Sequence, residues 1–273
     1  MTIWFITGAS RGLGAAIVYA ALARGDRVVA AARRPETPGR GEHDGRLLTQ
    51  RLDVRDEVQA RQAVAAAVER FGGIDVLVNN AGVSLLRAVE EASAAEVAEV
   101  FATNVYGVLN TTRAVLLVLR RQRSGAVVNI GSMGGFAQSP GWGVYGATKF
   151  ALEGLSEAMA AELKPLGIRV VVVEPGSFRT DFLETASLRS TAITIDDYAA
   201  SVGRVRDAAS RSAGSQPNDP VKGAQAIVAA VTAADPPTRL QLGADAVATV
   251  ERKLAHVRDE LDQWRTVSES TTY

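Results

Sequence analysis

TGASRGLG, residues 7–14, follows directly on the apolar run IWFI at 3–6. A β-branched and aromatic run that breaks into glycines and then into an Ala-rich stretch reads as strand, tight turn and helix. Gly8, Gly12 and Gly14 stand in a G-x-x-x-G-x-G spacing, which departs from the commoner G-x-G-x-x-G. The physics of the two is shared. Small residues allow a tight turn and a close backbone approach to a pyrophosphate, and the helix N-terminus presents free N–H groups to the anion. Such turns also occur without ligands, so this one draws its meaning from its place behind a first strand.

The same alternation continues along the chain. Strands are expected at about 2–7, 26–32, 47–53, 75–79, 125–130, 168–174 and 238–242, with helices at about 12–24, 55–71, 94–121, 145–164 and 220–234. Strands separated by helices of this length imply right-handed crossovers and a parallel sheet. Strands that are apolar at nearly every position imply helices on both faces. The pattern therefore predicts an α/β fold: a doubly wound, Rossmann-type parallel sheet of about seven strands in a single domain with a core at 1–243. Residues 35–46 read as a solvated loop, and 177–219 as a long insertion suited to a substrate lid. Residues 244–273 form a C-terminal helical extension. Val250, Leu254, Val257, Leu261 and Trp264 make one apolar stripe there, expected to fold back on its own subunit.

Composition removes several functions. Thirty acidic and thirty basic residues give a formal net charge of +0, with no basic footprint for nucleic acid or an anionic membrane. The chain has no cysteine and only two histidines, His43 and His256, so thiolate and HExxH-type metal sites are excluded. No apolar run reaches the roughly 18 residues of a membrane span, and Arg11 interrupts the first one, so a cytoplasmic protein is expected.

Two local patterns carry chemistry. After the second strand, VVAAARRPE places Arg33 and Arg34 where an acid would hold the ribose of NAD. Cations there favour the 2′-phosphate of NADP, and Arg11 could reach it from the Gly-rich turn. The second pattern is VYGATKF, residues 144–150. The chain carries nearly all its positive charge on Arg, and its lysines are only Lys149, Lys164, Lys222 and Lys253. Tyr145 and Lys149, at i and i+4, share a helix face. A compact ammonium can serve a phenol and ribose hydroxyls together, a task that suits Arg's planar fork less well.

With these landmarks in order, the sequence resembles the classical short-chain dehydrogenase/reductase family across residues 1–243. They are TGASRGLG, Asp53-Val54 after the third strand, NNAG at 79–82, Asn104 in NVYG, Ser132, Tyr145-x-x-x-Lys149 and PGSFRT at 175–180. The resemblance implies an NADP(H)-dependent oxidoreductase moving a hydride between nicotinamide and a carbonyl or secondary alcohol. It implies Asn104, Ser132, Tyr145 and Lys149 as the catalytic set. Tyr145 would be the general acid/base, its phenolate favoured by Lys149 and the nicotinamide. Ser132 would orient the substrate oxygen, and Asn104 would hold a water linking Lys149 to solvent. The cofactor would be held by Gly8, Ser10, Arg11, Gly12, Leu13 and Gly14, with Arg33 and Arg34 at its phosphate. Asp53 and Val54 would meet the adenine, and Asn80, Ala81 and Gly82 the ribose side. Tyr145, Lys149, Pro175, Gly176, Phe178 and Thr180 would meet the nicotinamide end.

The alternatives are a non-catalytic NADP(H)-binding sensor or scaffold, and an epimerase or dehydratase. Retention of the whole catalytic set argues against the first, and glycine spacing and length against the second. Met133, Phe136, Trp142, Phe178, Phe182 and Leu183 are expected to face a small apolar substrate, with the chain a monomer or homodimer.

Overall fold

The computed structural model describes residues 1–35, 45–183, 188–189 and 194–273. In chain order, the first half comprises β1 (Ile3–Thr7), α1 (Gly12–Ala23), β2 (Arg27–Ala32), β3 (Leu47–Arg51), α2 (Glu57–Phe71), β4 (Val76–Asn79), the short β5 (Ser84–Leu85), α3 (Ala94–Phe101) and α4 (Gly107–Gln122). Then follow β6 (Gly125–Ile130), α5 (Gly143–Leu163), β7 (Ile168–Pro175), the short β8 (Leu188–Arg189), α6 (Arg204–Ser212), α7 (Pro220–Val231), β9 (Arg239–Leu242) and α8 (Ala244–Glu269). Seven strands form one parallel sheet in the order β3-β2-β1-β4-β6-β7-β9.

Alternation along β1 shows how the layers assemble. Trp4 and Ile6 point to the face covered by α1 and α7, meeting Ile17, Val18, Ile227 and Val228. Phe5 points to the opposite face, among side chains of α2, α4 and α5 such as Val64, Val115 and Met159. Both sets are buried, so β1 has no solvent-facing side to keep polar. The chain runs from β1 outward to β3, then returns to place β4 on the other side of β1. A crevice opens at such a switch point, above the carboxyl ends of the strands.

Three features depart from the expectations. The single helix expected over 94–121 is interrupted by a π turn at Ala102–Tyr106, with Asn104 inside it. The insertion carries α6, and a π turn at Ala199–Gly203 leads into it. Parts of that insertion, and residues 36–44 of the solvated loop, lie outside the described residues.

The third departure is α8. Ala246 and Val250 are buried, but Leu254, Val257, Leu261 and Trp264 are 46–57% exposed. The stripe does not fold back on its own subunit. The first turns of α8 pack on β9 and on the turn Met133–Gly135, and the helix then runs past the body that would cover it.

Candidate active site

Gly8 and Gly12 adopt φ of +64° and +55°, a region closed to most side chains. Gly14 has a different constraint: a Cβ there would stand 2.3 Å from Asn80 Nδ2 and 2.4 Å from the Gly8 carbonyl oxygen. Asn80 makes this junction by donating to the carbonyls of Thr7 (3.0 Å) and Gly8 (3.1 Å). The backbone N–H groups of Asn80 and Ala81 donate to Thr7 Oγ1. The ends of β1 and β4 are thereby locked at the switch point. Arg11 stands at the N-cap of α1 in an extended conformation, its side chain does not cap the helix N–H groups, and the first turn of the helix holds no acid. Its N–H groups are thus left to an anion. Ser10 is exposed on the turn, while Leu13 packs into the core beneath it.

Arg33 and Arg34 are exposed beyond β2. Arg33 lies close enough to Asp53 to help hold its carboxyl below the ordinary carboxylate range, the larger cause being the hydrogen bond from Arg55. That contact is a 2.6 Å ion pair. Val54 is buried against Gly107, where a Cβ would fall 2.5 Å from Val54 Cγ2. Arg11 pairs with Asp181 at 2.9 Å, across the mouth of the Gly-rich turn. The Gly-rich turn thus meets Asn80 and Ala81 at the ends of β1 and β4, and the turn and the open helix terminus have the chemistry to fit a phosphorylated dinucleotide.

The second half of the site lies over β6 and α5. Ser132 follows β6, close enough to the Tyr145 phenol to act on its pKa, and its Oγ accepts from the Gly134 N–H at 3.0 Å. Tyr145 sits on the first turn of α5, 8% exposed, between the rings of Trp142 (5.6 Å) and Phe182 (5.7 Å). One turn on, Lys149 Nζ lies 5.6 Å from the Tyr145 ring centroid and donates to the Ile130 carbonyl at 2.8 Å. Burial pushes the phenol up to about 12, against the lowering effect of Ser132, and pushes the Lys149 ammonium down to about 8. The protein's own groups thus favour the neutral phenol, and the expected phenolate would need the nicotinamide as well as Lys149. At this separation the ammonium does not outweigh desolvation.

Asn104 is 1% exposed and spends its side chain within the protein. It accepts from the Val83 N–H (2.9 Å) and donates to the Val83 carbonyl (2.8 Å) and Thr148 Oγ1 (3.1 Å). A Cβ on Gly82 would lie 3.4 Å from Asn104 Oδ1 and 3.9 Å from Lys149 Nζ, so the three residues converge at one point.

At the far side, Pro175 ends β7 and Gly176 turns against Asp245 of α8, whose Oδ1 would lie 2.2 Å from a Cβ. Asp245 accepts from the Ser177 N–H (2.7 Å) and Asn218 Nδ2 (2.8 Å). Burial would raise its pKa, but these bonds outweigh that and hold it below 3.8. Thr180 stands 3.5 Å from a Cβ on Gly12, closing the ring of site residues. Phe178 was expected to face substrate, but its ring packs against Gly223 and the core. The side chain of Leu183 lies outside the described residues.

Sequence reasoning missed the supports. Asn110 donates to the carbonyls of Val54 and Arg55, fixing the loop after β3. Asn79 and Asn129, in register on β4 and β6, hydrogen-bond each other and reach Thr112 on α4 and Ser156 on α5. An Asn at the end of each of two apolar strands was the available signal.

A family model described as short chain dehydrogenase matches residues 2–190. The chain belongs to the short-chain dehydrogenase family. It is an oxidoreductase of that family by its relatives. It is 37% identical, over 97% of each chain, to Oxidoreductase BOA17 of Botryotinia fuckeliana (strain B05.10). Among solved structures, a short-chain dehydrogenase from Streptomyces avermitilis superposes with a TM-score of 0.92 at 41% identity, covering 100% of this chain and 99% of that one. A Burkholderia phymatum member in complex with NAD superposes with a TM-score of 0.82 at 26% identity, covering 96% and 95%.

Proposed function

We propose that this protein is an NADP(H)-dependent oxidoreductase acting on a carbonyl or secondary alcohol, with Tyr145 as general acid/base. One observation carries the reading. Ser132 stands close enough to the Tyr145 phenol to lower its pKa, and Lys149 stands one helical turn behind it, its Nζ 5.6 Å from the ring centroid. Bound NADP(H) would supply or accept the hydride. In the reducing direction, Tyr145 gives its proton to the substrate oxygen while Ser132 orients that oxygen by hydrogen bonding. The neutral phenol is the form this step needs. Lys149, held by the Ile130 carbonyl, places a positive charge below the ring that stabilises the phenolate as it develops.

Arg33 and Arg34 favour the 2′-phosphate of NADP over the 2′-hydroxyl of NAD, since these cations, and not an acid, directly follow β2. Met133, Phe136, Trp142 and Phe182 give an apolar wall, which suits a small apolar ketone, aldehyde or alcohol. Residues 177–219 act as its lid. Tyr198 and the Ile195 N–H tie that segment to Glu90 and Glu91, and β8 pairs with β5. A reducing compartment, the cytoplasm, fits the absence of cysteine.

The test is NADPH consumption against a panel of ketones and aldehydes, beside NADH. Tyr145→Phe should lose turnover by ~10²–10⁴-fold while NADPH binding is retained. Undiminished activity in that variant refutes the assignment of Tyr145. NADPH binding with no turnover on any substrate class would favour the sensor reading instead.

A further inference from the structure

The exposed end of α8 has an unusual pattern for a surface helix. Val247, Val250, Leu254, Val257, Leu261 and Trp264 alternate three and four residues apart. That is the strict a/d seam of a coiled coil rather than the wider face of a helix lying on a domain. The first buried position of this seam, Val250, is covered by the chain's own body, and from Leu254 the seam is open. About 24 Å of helix carries it outward from Leu254 to Glu269. The Streptomyces structure covers the whole chain, so the extended C-terminal segment is common to both proteins.

We infer that this seam pairs with the same helix of a second copy, antiparallel, to make a dimer. Three observations choose this occupant. The seam pattern calls for a helix. The polar faces do not suit an anionic bilayer, because acids outnumber Lys and Arg five to four between residues 251 and 269. The body settles the direction. Ala246 and Val250 are buried under it, so a parallel partner would bring two domains to the same end of one seam.

The antiparallel pair puts the two domains at opposite ends. Leu254 then lies opposite Trp264 of the second copy, and Val257 opposite Leu261, each layer occurring twice about the two-fold axis. At the flanks Glu251 meets Arg265, also twice. Arg258 and Glu260 meet their own counterparts near the axis. Each already has a partner on its own helix, Arg258 with Asp262 at 3.1 Å and Glu260 with His256 at 3.4 Å. Those like-charge contacts keep the dimer reversible rather than obligate.

Sedimentation velocity on the full chain over a concentration series tests this. The wild type should dimerise. The double variant Leu254→Glu, Leu261→Glu should weaken the dimer at least ~100-fold, since each change is felt twice across the axis. Its melting temperature should hold, because both side chains are exposed in the single chain. Direction is read by disulfide trapping, which is clean in a chain without cysteine. Glu260→Cys should crosslink on oxidation, whereas Leu261→Cys should do so only in a parallel pair. The inference is overturned by a wild type that stays monomeric, by a dimer indifferent to the double variant, or by crosslinking through Leu261→Cys in place of Glu260→Cys. A monomer that sediments with phosphatidylglycerol vesicles would overturn it in favour of a bilayer.

Discussion

Replacing Lys149 with Met should stabilise the fold at neutral pH while abolishing turnover. Lys149 is 6% exposed, and burial pulls its ammonium from 10.5 to about 8. Between those values the unfolded chain holds a proton that the folded chain has released. Wild-type stability therefore rises with pH across that window. Below it both states hold the proton, and folding bears the full cost of burying the charge, about 3 kcal/mol for a displacement of this size. Met has a similar shape and no charge. It forfeits the 2.8 Å bond to the Ile130 carbonyl, which returns about 1 kcal/mol of that gain. The net is about 2 kcal/mol, or a rise in melting temperature of roughly 4–6 °C for a chain near this size. Calorimetric melts of the two proteins at neutral pH and near pH ~10 read both the gain and its pH dependence. The gain should shrink in alkali, as the wild-type lysine loses its proton in the folded state. A Met variant that melts at or below the wild type at neutral pH, or whose gain does not change with pH, refutes the reasoning.

Gly14→Ala should weaken NADPH binding at least about tenfold and cost ~1–3 kcal/mol of stability, because the start of α1 must move away from the Gly8 carbonyl and Asn80. Unchanged affinity in a fluorescence titration would show that the close junction does not shape the cofactor site. Arg33→Asp should shift preference from NADPH toward NADH by tenfold or more, from the loss of a contact worth ~1.5–3 kcal/mol. A wild type that prefers NADH removes the basis of the phosphate argument. Asp245→Ala should lower the melting temperature at neutral pH, since the Ser177 N–H and Asn218 lose their acceptor. The carboxylate's stabilisation is present above the ordinary value of 3.8 and fades as pH falls through its lower folded value. The gap between variant and wild type should therefore narrow in acid, and a gap that persists there would assign Asp245 a purely steric role.

Periodicity is a local property, and the sequence carried it in full. Apolar runs and Ala-rich stretches placed all seven strands of the main sheet within two residues of their observed ends. Glycine spacing marked the first turn, because positive φ at Gly8 and Gly12 restricts the residue type whatever surrounds it. The i, i+4 spacing put Tyr145 and Lys149 on one helix face, and their burial together on α5 agrees with it.

What depends on partners distant in the chain was settled only by the fold. Nothing near Phe178 says that its ring will fill the space left by Gly223. Nothing near Asp245 says that it will grip a turn 68 residues earlier. The π turn around Asn104 lies inside a run that reads as continuous helix. The balance at Tyr145 is of the same kind. Its ionisation depends on how much water the surrounding rings exclude, and desolvation is a sum over neighbours that no spacing rule contains. The apolar stripe of α8 was equally plain in the sequence, but a stripe states only that something must cover it. The body of the chain covers that stripe only as far as Val250 and leaves it exposed from Leu254 on, which only the three-dimensional structure decides.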